Sequence, residues 1–504
     1  MGEIEQMTIE ELKKWITETR EKYVLELKTA SVLPKSFWET YSSFSNTSGG
    51  IVILGVREAL PFNQIEGVGN ADNILTDLWN LVSNPEKVSY KNIDNQDVIV
   101  QEIDGKKIVI ICIKEAPEIK KPVYIGNKIE NTWIRTGDGD RKATKEEIAA
   151  FIRNAQPGQD TLLAEGFTMD DLDSDSVVSF RERISKRFPN KNYNEMNYEK
   201  FLTEIGACSL DRTTGELKIK RGTILFLGKC NSIKELYPHF HLDFFNRRGK
   251  NARWIDRVSD DEPGAWEMNI YNFYTIVYEK MRTSLKESFE VDMYQQRLPI
   301  SGYDETIREG LINCLAHADY VQGYPSTKIE MYDGWIRFSN PGKMLVSVSQ
   351  FILGGDSRPR NEIVMKMFRL LGMSERQGFG GPLIYKSAVK NDYKRPEITS
   401  DLEKTELVIW NIDLADAYPD LSSDEKTTLR YISKKAKPVG IKEIVESLGL
   451  TDYKARKAVA GLTDRDLLVK KGNGTATRYA VSMENTEYFT KLEIMMEKLK
   501  RSMV

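Results

Sequence analysis

The stretch that decides the fold at the C-terminal end of the chain is residues 422–481, SSDEKTTLRYISKKAKPVGIKEIVESLGLTDYKARKAVAGLTDRDLLVKKGNGTATRYAV. Apolar residues recur there at helical spacing in three stretches, Glu425–Ser433, Ile441–Leu448 and Tyr453–Leu462, which predicts three helices. Gly449 follows the second stretch directly, and glycine is the residue that most readily ends a helix in left-handed backbone. The block therefore begins as a set of three short helices.

Two β-leaning runs, Leu467–Lys471 and Arg478–Val481, follow the third predicted helix. The turn between them contains Gly472-Asn473-Gly474, which favours a hairpin. Three helices followed by a hairpin resemble the winged helix-turn-helix family, in which the third helix reads DNA and the hairpin is the wing. The resemblance implies four basic residues at nucleic acid: Lys454, Arg456, Lys457 and Arg478. The alternative is a protein-docking module whose lysines form a solvated face.

The chain as a whole has no charge that would attract nucleic acid. It has 504 residues, with 72 Lys and Arg against 75 Asp and Glu and a formal charge of −3, so any such binding must come from local patches. In the C-terminal block, basic residues outnumber acidic ones. Since 40% of this long chain is hydrophobic, we expect three or four packed domains of α/β class.

Neither the cysteines nor the first residues point to export. Cys112, Cys208, Cys230 and Cys314 are far apart and form no C-x-x-C pair, a pattern typical of buried thiols in a reducing compartment. The opening segment, MGEIEQMTIEELKKW, lacks the apolar core of a signal peptide, and no stretch is apolar enough to span a membrane. We therefore expect a cytoplasmic protein with no membrane partner.

Residues 1–157 predict an α/β unit that ends at the punctuating sequence Gln156-Pro157-Gly158. Its predicted elements, in chain order, are a helix at Thr8–Glu21, a short strand at Tyr23–Leu27, a helix at Lys35–Phe44, a buried strand at Gly50–Val56, strands at Asp97–Ile103, Lys107–Ile113 and Asn131–Arg135, and a helix at Thr144–Asn154.

Several motifs of this unit resemble the Schlafen-type AlbA family. They are Glu26-Leu27-Lys28, FSNTSGG at Phe44–Gly50, Leu54-Gly55-Val56 and WIRTG at Trp133–Gly137. The resemblance implies an α+β domain that binds nucleic acid or nucleotide, and paired glycines after a helix expose N–H groups that can cradle phosphate oxygens. The residues expected at this surface are Lys28, Asn46, Thr47, Gly49, Gly50 and Arg135.

The same resemblance implies an alternative function, a metal-dependent ribonuclease of the kind that acts in phage defence. Eukaryotic Schlafen nucleases cut RNA with acidic residues, whose counterparts here are Glu21, Glu26 and Glu58; three carboxylates could hold Mn²⁺ or Mg²⁺ and activate water. Arg57 stands where an acid is common in the family. The other interpretation of this region is a binding domain in which Glu26 and Lys28 form an ion pair.

Residues 158–300 form a connecting α/β region, and residues 301–415 carry another set of motifs. A long helix at Asp304–Ala318 is predicted to precede two strands within Thr327–Phe338, joined at Asp333-Gly334. The motifs are EGLINCLAHADY at Glu309–Tyr320, SNPG at Ser339–Gly342, SRPRN at Ser357–Asn361 and RQGFGG at Arg376–Gly381. They resemble the C-terminal region of bacterial proteins labelled RecG-like, whose fold is related to GHKL ATPases.

This second resemblance implies an α/β sandwich that binds ATP with Mg²⁺. Glu309 and Asn313 are four residues apart and share a helix face; in GHKL enzymes such a pair is the general base and the magnesium ligand. The nucleotide-binding residues it implies are Asn313, Gly342, Gly378, Gly380 and Gly381. Ser339 stands near the place of the adenine-binding aspartate, and no G-x-x-x-x-G-K-[ST] motif occurs, so helicase activity is set aside.

These features together predict a transcription-regulator-like protein that binds DNA rather than RNA through a winged helix at residues 421–483. The AlbA domain adds a second nucleic-acid or nucleotide surface, and the GHKL-like domain senses a nucleotide. A C-terminal helix at 484–504 and, by analogy with winged-helix regulators, a homodimer are expected. The ribonuclease and an oligomeric scaffold remain the alternatives, and His239, His241 and His317 are assigned to structure.

Overall fold

The chain is described by a computed structural model. It describes residues 9–18, 24–137, 139–156, 158–249, 253–260, 266–287, 303–322, 325–355, 358–373, 378–435, 437–472, 474 and 477–482. Two compact units are present: residues 1–156, 345–349 and 483–504 in the first, and residues 157–344 and 350–482 in the second. The mixed α/β, multidomain class expected from the sequence is confirmed.

The predicted elements of the first 156 residues occur in the predicted order, and a helix at Ala71–Val82 and short strands at Val56–Arg57, Gln64–Ile65 and Gly139–Lys142 were not predicted. The elements are α1 (Ile9–Glu18), β1 (Leu25–Lys28), α2 (Phe37–Asn46), β2 (Gly50–Leu54), β3 (Val56–Arg57), β4 (Gln64–Ile65), α3 (Ala71–Val82), β5 (Val98–Ile103), β6 (Lys106–Ile113), β7 (Trp133–Thr136), β8 (Gly139–Lys142) and α4 (Lys145–Asn154). Helix α2 begins and ends two residues later than predicted, and its last residue, Asn46, is anchored by side-chain hydrogen bonds to the backbone of Val123 and Trp133.

A four-stranded sheet in the order β1-β2-β6-β5 is the centre of this unit. Strand β2 is buried along its whole length, because apolar residues cover both faces of the sheet. Leu12 and Ile16 of α1 pack with Ile53 on one face, and residues of α2 and α3 pack with Val52 on the other. This two-sided burial explains the uninterrupted apolar sequence GIVIL.

The remaining elements follow in chain order. They are α5 (Ser174–Arg187), α6 (Tyr198–Glu204), β9 (Cys208–Leu210), β10 (Leu217–Ile219), α7 (Arg221–Leu227), α8 (Cys230–Leu236), β11 (Leu242–Asn246), β12 (Asp256–Ser259), α9 (Ile270–Glu287), α10 (Tyr303–His317), β13 (Thr327–Tyr332), β14 (Trp335–Pro341), α11 (Val348–Leu353), α12 (Glu362–Leu370), α13 (Gly380–Lys390), β15 (Glu397–Ser400), β16 (Lys404–Trp410), α14 (Ser423–Ser433), α15 (Ile441–Leu448), α16 (Asp452–Asp464), β17 (Leu468–Lys471) and β18 (Arg478–Val481).

The second unit contains a six-stranded mixed sheet in the order β12-β11-β13-β14-β16-β15. Ile329, Phe338 and Leu407 are buried and lie in one row across three of its strands. Helix α10 lies against this apolar face, since a Cβ at Gly310 would come within 2.9 Å of the Phe338 ring. The glycine therefore lets the helix that carries Glu309 and Asn313 approach the sheet closely.

A buried carboxylate joins the connecting region to helix α12. Asp160 is fully buried and accepts hydrogen bonds from the N–H groups of Glu362, Ile363 and Val364, at 2.9, 2.8 and 3.1 Å. These donors are the first-turn N–H groups of α12, which have no partner inside the helix. Burial raises the pKa of Asp160 to about 6, although the three N–H donors act in the opposite direction.

The C-terminal block has the three helices and the hairpin that its periodicity predicts. Ser422 and Glu425 form a capping box at the start of α14, and Gly449 ends α15 with a φ of +65°. Helices α14, α15 and α16 share an apolar core with β17 and β18. Val439, between α14 and α15, forms an additional antiparallel bridge with Tyr479 of β18.

Candidate nucleic-acid interface

Helix α16 carries basic residues on its exposed side. Ala455, Ala458, Val459 and Leu462 face the core of the block and are buried. The residues between them are exposed: Tyr453, Lys454, Arg456 and Lys457. Tyr453 is 74% exposed, an unusual state for a tyrosine. The periodicity that buries one face of α16 thus leaves its three basic side chains and one aromatic ring in solvent.

The charge of this block is opposite to that of the rest of the chain. Residues 421–482 contain 13 Lys and Arg and 7 Asp and Glu, which leaves +6. Since the whole chain carries −3, the remainder carries −9. Lys470 and Lys471 of the hairpin are exposed, as is Arg478 opposite them. Positive charge is therefore concentrated on α16 and the hairpin.

Two of the basic residues on α16 have acidic neighbours. Arg456 Nε lies 2.6 Å from Asp452 Oδ2, one helical turn before it, and this hydrogen bond raises the pKa of Arg456. Lys454 Nζ lies 3.7 Å from Asp424. All four side chains are more than a third exposed, so both pairs contribute little to stability. Exchange of these contacts for phosphate contacts would therefore cost little.

The first unit holds a charged cluster of two acids and two bases. Arg135 bridges Glu26 and Asp140, with both N···O distances at 3.0 Å, and Lys28 lies 2.7 Å from Glu26. The Arg135 side chain is 1% exposed and lies over the Phe44 ring, 5.1 Å from its centroid. Burial lowers the pKa of Arg135, but its bonds to Asp140 and Glu26 outweigh burial and raise it. The cluster is electrically balanced and mostly shielded from solvent.

This geometry does not favour the ribonuclease interpretation. Glu26 gives its two oxygens to Lys28 and Arg135, which is the ion pair expected of a binding domain. Glu58 is exposed, and Glu21 lies outside the described residues. Among the residues that the structure describes, no group of three or more His, Cys, Asp or Glu could hold a metal ion. Because Glu21 is not among the described residues, the carboxylate triad of the ribonuclease interpretation is not tested and stays a prediction.

The FSNTSGG segment differs from the expected phosphate cradle. Asn46 is 1% exposed, and its side chain binds the backbone of Val123 and Trp133. Gly49 and Gly50 are buried. The Gly49 N–H donates to the Phe44 carbonyl, and a Cβ at Gly50 would overlap the Phe44 ring. These groups are used in hydrogen bonds and packing contacts inside the protein, so the expectation that they face phosphate is corrected.

Thr47 belongs to the same packing arrangement. Its hydroxyl donates to the Ser43 carbonyl at 2.6 Å, which ends helix α2. Lys28 and Arg135, also expected at nucleic acid, lie in the charged cluster and are 15% and 1% exposed. Of the residues carried over from the AlbA motifs, Asn46, Gly49, Gly50 and Arg135 are therefore buried, and Lys28 and Thr47 are partly buried.

Some of the predicted nucleotide-site residues of the second unit lie near one another. Asn313 Nδ2 donates to Glu309 Oε1 at 3.0 Å, and a Cβ at Gly380 would overlap that same carboxylate. Helix α13 therefore begins directly beside Glu309. Gly378 and Gly381 make equally close approaches, but to the backbone of residues 351–355. Gly378, Gly380 and Gly381 thus lie beside the Glu309–Asn313 pair, and their close contacts are with other atoms of the protein.

Gly342, the remaining predicted nucleotide contact, has a structural place. Its N–H donates to the Glu403 carbonyl at 2.7 Å, its φ is +88°, and a Cβ there would come within 2.8 Å of Asp319 Cβ. His317, one turn after Asn313, has its pKa lowered to about 4 by burial and by the charge of Arg360. It is therefore neutral at pH 7, as a structural histidine would be.

Three residues that shape these regions were not singled out in the sequence. Asp140 completes the charged cluster, Asp160 caps α12, and Tyr453 exposes its ring beside the basic face of α16. The signal for Tyr453 was available, because it opens the third helix on the solvent side of the apolar pattern. No local pattern marks Asp140 or Asp160, since their partners are distant in sequence.

Three family models match separate parts of the chain. Residues 11–144 match "Schlafen, AlbA_2", residues 149–243 match "Domain of unknown function (DUF8451)", and residues 326–409 match "Putative ATP-dependent DNA helicase recG C-terminal". A comparison with curated protein sequences finds no match. None of the described helices is long and apolar enough to cross a membrane.

Two solved structures are similar in outline. The DIP2311 protein from Corynebacterium diphtheriae has a TM-score of 0.39 and 13% identity, over 93% of this chain and 98% of that one. The N-terminal domain of a RecG-related protein from Nitrosomonas europaea has a TM-score of 0.20 and 22% identity, over 25% of this chain and 85% of that one. At these TM-scores neither likeness bears on function. In the stretches that the family models match, the chain is similar to Schlafen AlbA_2 and RecG C-terminal domains, a combination that indicates a function related to nucleic acids.

Proposed function

We propose that this chain is a DNA-binding protein of the transcription-regulator kind, in which residues 421–483 act as a winged helix. Helix α16 enters the major groove and the β17–β18 hairpin contacts the backbone beside it. The observation that carries the proposal is the exposed basic face of α16 on a block of charge +6 in a chain of charge −3. A homodimer, each copy contacting half of a site, is the expected assembly.

The test is a fluorescence-anisotropy titration of labelled duplex DNA at several salt concentrations. The variant is Lys454→Ala with Arg456→Ala, and the matched control is Lys186→Ala with Lys200→Ala, which removes the same charge from two exposed positions far from α16 in sequence. Each lost phosphate contact lowers the slope of log affinity against log salt by about 0.9. We expect the α16 variant to lose about 2 from that slope.

The control variant should bind duplex DNA like the unaltered chain. Equal binding by the α16 variant and the unaltered chain would show that α16 is a solvated face and that the block is a protein-docking module. Loss of affinity without a change in slope would instead mean that the two side chains contact bases and leave phosphate to other residues.

A nucleotide-sensing role for residues 301–415 is the second part of the proposal. It rests on the Glu309–Asn313 hydrogen bond and on the start of α13 beside that carboxylate. Glu309 would hold a water and Asn313 would hold Mg²⁺ of an ATP complex. Calorimetric titration with Mg-ATP should give saturable binding that Asn313→Ala weakens at least tenfold. Binding that is unchanged in Asn313→Ala would place ATP elsewhere or nowhere.

A further inference from the structure

Three lysines on the surface of the first unit lie over aromatic rings. Helix α2, helix α3 and residues 86–92 supply the rings. The pairs, with the distance from Nζ to the ring centroid, are Lys87 over Trp38 at 5.2 Å, Lys91 over Trp79 at 5.5 Å and Lys120 over Tyr90 at 5.9 Å. We call Lys87, Lys91, Lys120, Trp79 and Tyr90 the lysine–aromatic surface.

These five residues belong to one continuous part of the unit. Lys87, Tyr90 and Lys91 lie within residues 86–92, which pack on α2 because Tyr41 Oη donates to the Tyr90 carbonyl at 3.2 Å. On the other side, the Ser89 N–H donates to the Tyr124 carbonyl at 3.0 Å, which ties this segment to the stretch that carries Lys120. Residues 86–92, which carry Lys87, Tyr90 and Lys91, are therefore fixed on both sides by hydrogen bonds to their backbone.

The three lysines are not neutralised by acids. Within the part of the chain that the structure describes, no carboxylate oxygen lies within 4.0 Å of their Nζ atoms. The neighbouring acids have other partners, since Glu115 and Glu118 both bind the buried Lys121 at 2.5 Å. Glu86 is exposed beside Lys87 and is the nearest acid in sequence. The surface consequently presents positive charge beside two half-buried rings, those of Trp79 and Tyr90, while the Trp38 ring under Lys87 is buried.

This combination fits one class of partner. Unpaired bases stack on aromatic rings, while lysines follow the phosphates of the same strand. Duplex DNA keeps its bases stacked inside the helix and cannot use the rings. We propose that the lysine–aromatic surface binds single-stranded nucleic acid, with bases on Trp79 and Tyr90 and phosphates on Lys87, Lys91 and Lys120. The proposal does not depend on α16, and it supplies the exposed surface that the buried AlbA motif residues do not provide.

The experiment uses the full chain and two labelled probes, oligothymidine and oligouridine, in anisotropy titrations at several salt concentrations. Replacing the three lysines by alanine should lower the salt slope by about 2, since each single-strand phosphate contact contributes about 0.7. Tyr90→Leu should weaken binding about tenfold with little change in slope, because it removes stacking alone. Glu86→Gln should strengthen binding, since it removes the neighbouring negative charge.

The matched control replaces Lys107, Lys128 and Lys145, three exposed lysines of the same unit, by alanine. It should retain the affinity of the unaltered chain. Quenching of tryptophan fluorescence by the bound strand, reduced in Trp79→Phe, would report contact with the ring itself. A preference between the two probes then tells DNA from RNA.

The outcomes separate this proposal from the proposed function. If the control loses as much affinity as the lysine variant, only bulk charge is at work and the surface is not a site. If the unaltered chain binds duplex DNA but neither single strand, this proposal is wrong and the α16 proposal stands. If Lys454→Ala with Arg456→Ala abolishes single-strand binding while the lysine variant keeps it, the strand is bound at α16 and this proposal is again wrong.

Discussion

Removal of the Asp160 carboxylate should release the start of helix α12. Asp160→Ala takes away the acceptor of three N–H groups, those of Glu362, Ile363 and Val364. The site is closed to solvent, and a donor left without a partner there costs about 1–3 kcal/mol. Loss of the burial cost of the carboxylate offsets part of this. We expect a net loss of about 3 kcal/mol in local stability, which is above the upper value of about 2 kcal/mol for a single helix cap because three N–H groups lose their acceptor here.

Hydrogen exchange of the amides of residues 362–364 is the direct assay. A loss of about 3 kcal/mol in the free energy of local opening corresponds to exchange faster by about a hundredfold, since 1.4 kcal/mol is a factor of ten. Amides in β2, in the other unit, serve as the internal reference and should not change. Unaltered exchange at 362–364 in Asp160→Ala would refute the capping role.

The pH dependence of stability shows whether burial raises or lowers the pKa of Asp160. Because the pKa of Asp160 is raised from 3.8 to about 6, the folded chain binds this proton more tightly than the unfolded chain does. Its contribution to stability is therefore greatest below pH 3.8 and falls as pH rises to about 6, by about 3 kcal/mol in all. Asp160→Asn does not titrate. The stability of the unaltered chain relative to Asp160→Asn should decline over this interval, and a constant difference would contradict the shift.

Two further predictions concern charged groups. Glu26→Gln breaks the ion pairs with Lys28 and Arg135 and leaves Arg135 partly unmatched in a buried site. Urea unfolding should therefore show a loss of about 2–4 kcal/mol in the free energy of unfolding, whereas Glu58→Gln, at an exposed position, should change it little. Equal effects of the two substitutions would mean that the charged cluster does not stabilise the unit. His241 lies between Asp243 and Asp260, whose hydrogen bonds raise its pKa to about 10. Its contribution to stability is therefore complete below pH 6.5 and is lost as pH rises to about 10. His241→Gln should flatten the pH dependence of the unfolding free energy over that interval, and an unchanged pH profile would count against the raised pKa.

The candidate nucleic-acid-binding residues fall into two groups, those placed by local interactions and those placed by contacts with residues distant in sequence. The basic face of α16 follows from periodicity alone, because Ala455, Val459 and Leu462 must point to the core of the block and the residues between them cannot. The α15 terminus at Gly449 is likewise read from neighbouring residues. These features were predicted from sequence, with helix bounds within two residues.

The AlbA motif shows where a local pattern is insufficient. Glycines after a helix are compatible with a phosphate cradle and with close packing, and the sequence does not distinguish the two. The Phe44 ring lies where a Cβ of Gly50 would be, and the Asn46 side chain reaches Val123, 77 residues away. Only these tertiary contacts decide that the segment is internal. The lysine–aromatic surface likewise depends on contacts such as that of Lys120 with Tyr90, which no spacing of residues in the sequence predicts.

The sequence by itself determined the composite α/β class, most elements of the first unit and of the C-terminal block in their order, and the basic character of that block. These properties depend on hydrophobic period, capping residues and local charge, all of which act over a few residues. Only the tertiary structure decided which polar groups are available to a ligand. Asp160 with α12 and Arg135 with Glu26 lie 202 and 109 residues apart, and burial of a charge or a donor depends on such distant partners, since each must be satisfied wherever the fold excludes water.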